Sequence, residues 1–513
     1  LENRTLDASK AGLALIAAMA LTKLFLHLGV NTFAGYGIFR DELYYVACSG
    51  RMAAGYVDQP PLSIWALAAW KSVFGQSVFS IRFLPALLGA GTVFFTGLIV
   101  RNFGGGRKAV ILACVLVMLT PIHLAMSTFY SMNAFDSFLW VFAAWILSLL
   151  ILRDDPGLWL AIGLAAGLGL LNKVGFLWFG AGLAASLLLT HRRKDLATRW
   201  PYLALLAAVL VFLPYIIWNF MHDFAHVEFM RNAVERKYSG ISRLDFLMGQ
   251  LVYLNPVFAP VWICGLIYLL FGKEGRRFAP LGLLYLAALA ILLINGKSKP
   301  EYLGPAYPML FAGGAVVIEK VSRRRVLRWM PAAAIGIAAL AGLIFSPIAL
   351  PVLPRETFIR YQSAIGIGQQ NSESKELDEM PQFFADMHGW ENMAETVSKV
   401  YLSLPENERA SCIAFGDNYG EAGAIDYYRG KYDLPRAVSG HNSYWFWGYG
   451  ESEPEVVIVI GSHDLLELFE SVEEAGRTSC RWCMPYEKDL PVYICRGLKR
   501  PFAEIWPLLR FYV

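Results

Sequence analysis

Charge is what this sequence has least of. Only 17% of its 513 residues are Asp, Glu, Lys or Arg, against roughly 25% in soluble domains. The 45 basic and 41 acidic residues leave a net charge of only +4. An ordinary cytosolic enzyme and a nucleic-acid-binding surface are both excluded by that balance. Seven cysteines are too few for a disulfide-dense miniprotein. The glycines follow no Gly-X-Y period, which excludes a collagen-like chain, and neither an internal repeat nor a low-complexity tract is present. What abounds is apolar: 56% of the residues are hydrophobic and 14% aromatic, so disorder is excluded too.

Up to about residue 346 the apolar residues fall into runs, each near the ~20 residues that cross a bilayer, separated by short polar or basic breaks. About eleven transmembrane helices are expected, centred on residues 11–30, 81–100, 109–126, 135–152, 157–171, 175–190, 201–219, 249–271, 278–295, 302–318 and 330–346. Alternate breaks are basic: Arg101–Lys108, His191–Arg199, Gly272–Arg277 and Glu319–Arg328. By the positive-inside rule these face the cytoplasm, although the break at Arg153-Asp154-Asp155, assigned to the same side, carries no basic excess. The amino terminus then comes out cytoplasmic. Leu1–Lys10 is too short and polar for the apolar core of a signal peptide, so the first span is expected to stay as an anchor.

Beyond residue 346 charges return and apolar runs shorten. Glu455–Gly461 and Pro491–Cys495 read as buried strands, and residues 347–513 as a small extracytoplasmic α/β domain after a transmembrane domain over 1–346. Cys412, Cys480, Cys483 and Cys495 fall in that domain, in a compartment that permits disulfides. The Cys480-x-x-Cys483 pair lacks the second pair a zinc site needs, so no metal is assigned. At least one disulfide is expected, from Cys480 or Cys483 to Cys495. Cys48, Cys114 and Cys264 read as packing residues.

The first outward loop, residues 31–80, is long for a connection that only turns the chain. It carries Asp41 and Glu42 side by side. They either open a short helix, where anions complement the dipole, or supply a carboxylate base in surroundings poor in water. After Pro60-Pro61, the residues Leu62, Trp65, Ala66, Ala69, Trp70 and Val73 keep helical spacing. This predicts an amphipathic helix that lies in the membrane interface or braces the first two spans. In the next outward break Asn133 and Asp136 share a helical face, as a binding pair or as a cap and a first-turn acid. Three outward breaks are basic against the orientation rule: Asn172-Lys173, Arg231–Lys237 and Gly296–Tyr302. Cations on that side call for an anionic partner, either a specific phosphate or lipid headgroups in general.

Several motifs together resemble a known family. They are Tyr36–Tyr45, Gly55–Leu62, Arg82-Phe-Leu-Pro85-Ala-Leu87, Met132-Asn133-Ala-Phe-Asp136, Gly167–Lys173 and Tyr302–Pro308, joined in the tail by Asn418–Asp426 and Ser439–Trp445. In order and spacing they are similar to the bacterial branch of the dolichyl-phosphate-mannose protein mannosyltransferases, relatives of the lipid A aminoarabinose transferases. The resemblance implies the C-type glycosyltransferase fold and an inverting transfer from a polyprenyl-phosphate-linked sugar to a hydroxyl of a lipid, glycan or protein acceptor. The setting it implies is the outer face of a bacterial inner membrane, with membrane lipids as neighbours and no nucleic acid.

Under that resemblance Asp41 is catalytic with Glu42 alongside. Arg82, Lys173, Arg231, Lys297, Lys299 and Tyr302 are candidates for the donor phosphate. Tyr44, Asp58, Asn133, Asp136 and His441 are secondary substrate-binding candidates, although His441, Tyr444 and Trp445 equally suit a core. The lysine that such relatives often carry before the Pro-Pro pair is replaced by Gln59, and Asn133 stands where a second acid is common. No cofactor is required by this chemistry and no divalent metal is expected. The reading from another class is a multi-span transporter or lipid flippase, which would show related halves or helices interrupted at mid-membrane.

Overall fold

A computed structural model describes residues 2–238, 240–366, 376–461 and 464–513. The chain divides into two compact units. One comprises Leu1–Ala34, Phe79–Ile217 and Ile241–Leu353; the other comprises Gly35–Val78, Trp218–Gly240 and Pro354–Val513. The first long loop therefore groups with the tail, whereas the sequence placed it with the spans.

The first unit is helical. Each apolar run expected to span is helical, but by length and composition the number is smaller than about eleven. Among the described residues six helices are long and apolar enough to cross a membrane: Gly12–Phe33, Val78–Asn102, Met132–Arg153, Trp200–Met221, Arg276–Asn295 and Arg325–Ala349. Counting as one span each of two bent pairs, Val174–Leu189 with His191–Ala197 and Arg243–Val252 with Pro256–Phe271, raises the total to eight. The run at 109–126 is broken because Pro121 cannot continue a ladder; the helix Arg107–Leu119 stops and a short one restarts at Pro121–Met126. Leu158–Asn172 and Tyr307–Val321 have 15 residues each, short of the ~20 that a crossing needs.

Small residues let these helices touch. A Cβ at Gly265 would overlap the Leu310 carbonyl, and one at Gly314 the Val261 carbonyl, so only glycine permits this approach of Ala259–Phe271 to Tyr307–Val321. Inside the unit Lys23 is 1% exposed and donates to the Met118 and His123 carbonyls at 3.1 and 3.2 Å, on either side of the break at Pro121, the His123 carbonyl also accepting the Ser127 hydroxyl at 2.7 Å. The basic breaks are tied together at the helix ends. Glu319 accepts from the Lys108 and Ala109 amides at 3.0 and 3.3 Å, and Lys194 lies 2.9 Å from Asp154. The break that lacked a basic excess thus shares an end with the basic break His191–Ala197.

The second unit is built on a five-stranded sheet in the order β2-β1-β3-β5-β4, with β1 Cys412–Gly416, β2 Arg436–Val438, β3 Val456–Ile460, β4 Phe469–Arg477 and β5 Pro491–Leu498. β1 pairs parallel with β2 and β3, while β5 runs antiparallel to both β3 and β4. β1 and β3 are buried throughout, hence their unbroken apolar runs, whereas β4 is an exposed edge rich in Glu. Ile413, Phe415, Val457, Val459 and Cys495 form the core with Phe502 and Trp506. The helix Tyr419–Tyr428 connects β1 to β2 and packs on the loop helix Arg40–Ser49.

Cys495 lies in that core. Cys480 and Cys483 adjoin each other in the β4–β5 connection, where the Cys483 amide meets the Cys480 sulfur at 3.2 Å. All seven cysteines are free thiols, so the expected pairing of Cys480 or Cys483 with Cys495 is not formed; Cys483 and Cys495 are both buried.

Candidate active site

The loop helix Arg40–Ser49 brings the acidic pair to its first turn. The two carboxylates then do different things. Glu42 is 0% exposed and accepts the Phe39 amide at 2.9 Å, satisfying one of the donors that a helix start leaves over. Glu42 thus caps the helix, and a catalytic part for it beside Asp41 stays a proposal of the resemblance. The side chain of Asp41 is 37% exposed and accepts the Tyr419 hydroxyl at 2.8 Å, with the Arg40 guanidinium 3.9 Å away. Arg40 is buried and held from the tail by the Tyr486 hydroxyl at 2.7 Å, the Tyr419 hydroxyl at 3.2 Å and Asp386 at 4.0 Å.

A second carboxylate stands nearby. Asp58, half-buried, accepts the Tyr44 hydroxyl at 2.8 Å, and Tyr44 in turn accepts the Ser443 amide at 3.2 Å. The Tyr44 and Tyr419 rings lie 4.8 Å apart, joining the two acids into one network. Burial pushes the Asp58 carboxyl up to about 6, against the Tyr44 hydrogen bond and the charge of Lys237, while Asp41 adds to the rise. Such an acid ionises near neutral pH.

His441 lies in the interior of the second unit. Its Nδ1 accepts the Tyr419 amide at 3.3 Å and its Nε2 meets the Val513 carbonyl at 2.8 Å, so it is buried scaffold beneath Tyr419. Arg231 lies exposed on the helix Ala225–Asn232 of this second unit. Residues Arg40, Asp386, Tyr419, Ser443 and Tyr486 were not singled out from the sequence. The motifs Tyr36–Tyr45, Asn418–Asp426 and Ser439–Trp445 contain three of them, Arg40, Tyr419 and Ser443.

The first unit gathers the other candidates. Lys173 donates to Asn133 at 2.8 Å, lies 3.4 Å from Asp136 and sits 5.0 Å over the Tyr302 ring. Asn133 is no helix cap: Ser131 takes that place by accepting the Asn133 amide. Lys173 is therefore neutralised by Asp136 and differs from a lysine awaiting an anion. Lys297 donates to the Ile241 carbonyl at 3.4 Å, Lys299 is 9% exposed, and Arg82 is buried in the helix Val78–Asn102. Among the described residues no three His, Cys, Asp or Glu side chains converge as a metal site would require.

Residues 58–218 match the model of the dolichyl-phosphate-mannose-protein mannosyltransferase family. Through this segment, about a third of the chain, the protein is similar to that family. Among curated relatives, the lipid A galacturonosyltransferase RgtD of Rhizobium johnstonii is 24% identical over 60% of this chain and 65% of its own length. An undecaprenyl phosphate-alpha-4-amino-4-deoxy-L-arabinose arabinosyl transferase of Pseudomonas aeruginosa is 26% identical over 64% and 65%. The chain spans somewhat under two thirds of the length of these two relatives. In fold it is similar to ArnT from Cupriavidus metallidurans, solved bound to undecaprenyl phosphate, with a TM-score of 0.63 at 14% identity, covering 95% of this chain and 98% of that one. The chain thus has an ArnT-like C-type glycosyltransferase fold, and these relatives lend nothing to the transport reading.

Proposed function

We propose that this chain is an integral-membrane inverting glycosyltransferase that moves a sugar from a polyprenyl-phosphate donor to a hydroxyl of a cell-envelope acceptor at the outer face of the inner membrane. The observation that carries the reading is Asp41, a partly exposed carboxylate fixed by Tyr419 and flanked by the Arg40 guanidinium, in the fold of a chain solved with a polyprenyl phosphate. An acceptor hydroxyl has a high pKa and its proton must leave as the new bond forms. In the reaction its oxygen attacks the anomeric carbon, Asp41 takes the proton, and the carbon–oxygen bond to phosphate breaks with its electron pair. The leaving polyprenyl phosphate needs cations more than a general acid. Lys297 and Lys299 are assigned to it, with Arg82 orienting and Lys173 serving once an anion displaces Asp136.

The test is transfer by the purified protein from labelled polyprenyl-phosphate sugars to an envelope extract. Lys299→Ala should weaken donor binding as well as turnover, because the phosphate is charged in both ground and transition states. Absence of transfer with every donor tried would overturn the reading.

A further inference from the structure

The second unit has an open cavity of about 340 Å³ that the reaction outlined above does not use. It lies within the range of small-molecule sites, roughly 300–1,000 Å³. The indoles of Trp218 and Trp447 and the ring of Phe446 form walls. The polar groups among them are few and placed. His222 stacks on Trp218 with ring centroids 4.3 Å apart and bonds the Trp218 carbonyl through Nδ1 at 2.7 Å, which makes Nε2 the acceptor nitrogen of the neutral ring. Arg51 lies 4.3 Å over the Trp447 ring and 3.0 Å from Asp426, so its charge is compensated while it keeps further N–H donors. Ser443, also in the lining, accepts the Val57 amide at 3.1 Å and donates its own amide to Tyr44, the residue that bonds Asp58.

We propose that this cavity holds a pyranose ring of the acceptor, so that the acceptor is a glycan or glycolipid. A pyranose offers apolar C–H faces that pack on indoles and a rim of hydroxyls that need both donors and acceptors, which Arg51 and His222 supply. An acyl chain would offer nothing to the further N–H donors of Arg51 or to Nε2 of His222 while shielding them from water. A phosphate would meet a guanidinium already paired with Asp426. The acceptor fits better than the donor sugar because only the acceptor hydroxyl loses a proton, and the cavity wall runs through Ser443 and Tyr44 to Tyr419, whose hydroxyl bonds the base Asp41. This inference rests on the transferase reading.

Its test uses the full chain in lipid nanodiscs, with oligosaccharides released from the cell envelope by mild hydrolysis as the probe. Saturation-transfer NMR should show the wild type contacting sugar ring protons, with the signal lost in Trp447→Ala and kept in Trp447→Phe. Equal signals in wild type and Trp447→Ala, or none in the wild type, would overturn the proposal whether or not transfer is observed. In the transfer assay Trp447→Ala and His222→Ala should raise the acceptor KM at least tenfold. The donor KM and the slow hydrolysis of donor without acceptor should stay unchanged, which also shows that the variants fold. A raised donor KM with an unchanged acceptor KM would place the donor sugar here and overturn the assignment. A wild type that binds the oligosaccharides but transfers nothing would defeat the transferase reading alone.

Discussion

Each unit carries an acidic cluster beside a cation, and the two are used in opposite ways. In the first, Asp136 is 4% exposed and turned to Lys173, which also holds Asn133. The charges are spent on each other. In the second, Arg40 is drawn into the interior by Asp386, Tyr419 and Tyr486, and Asp41 keeps a solvent-facing oxygen surface. A carboxylate becomes a base when its counter-charge is held back by other partners.

The sharpest way to break this contrast is Asp41→Asn, which keeps shape but loses the proton acceptor. Turnover should fall by roughly 10²–10⁴-fold with donor binding retained. Near-normal turnover would remove Asp41 as the base and pass the role to Asp58. The matching change in the first unit, Lys173→Ala, should act on stability, because it leaves Asp136 buried and uncompensated at a cost of about 3–5 kcal/mol. Thermal unfolding in nanodiscs reads this, and the pair Lys173→Met with Asp136→Leu should recover most of the loss. A full recovery of stability by Lys173→Ala alone would mean that the two clusters do not differ.

The pH dependence sharpens the second cluster. Asp58 faces Tyr44, Cys48, Lys237 and Asp41, and its carboxyl ionises at about 6. Its charge is present above that value and lost as pH falls through it, so kcat/KM should drop about tenfold per unit below about 6 in the limit of a single required ionisation. Asp58→Asn should flatten the profile; an unchanged profile would free Asp58 of any part in it. The smallest effect is chemical. The hydrogen bond from Cys483 lowers the Cys480 thiol to about 7, so alkylation at neutral pH should mark Cys480 first and leave Cys495 for denatured protein only.

The same contrast explains what could be read from the sequence. Hydropathy located every apolar helix, since burial in lipid writes itself into composition, yet it does not fix the number of crossings, because a 15-residue helix such as Tyr307–Val321 is just as apolar when packed among other helices. The Lys173 cluster was legible in outline, as three neighbouring breaks each carried a polar group out of place. Asp41 was legible from its loop. Its partners were not: Tyr419 and Arg40 meet across 379 positions, and nothing in a tyrosine's local sequence tells where its hydroxyl goes. Glu42 reads two ways for a local reason, since an acid in a first turn and a catalytic acid look alike in sequence, and only the structure shows the Phe39 amide that it accepts.

Lys23 carries a consequence for how the chain is made. A lysine near the centre of a lone span costs about 2.5–3.5 kcal/mol on entry into a bilayer. Here that ammonium is matched by carbonyls at Met118 and His123, some hundred residues later in synthesis. The first helix therefore emerges before the groups that make it comfortable in lipid. Its insertion is provisional until the break at Pro121 arrives, so the newborn protein depends on whatever shelters a half-finished bundle for the time it takes to add those residues.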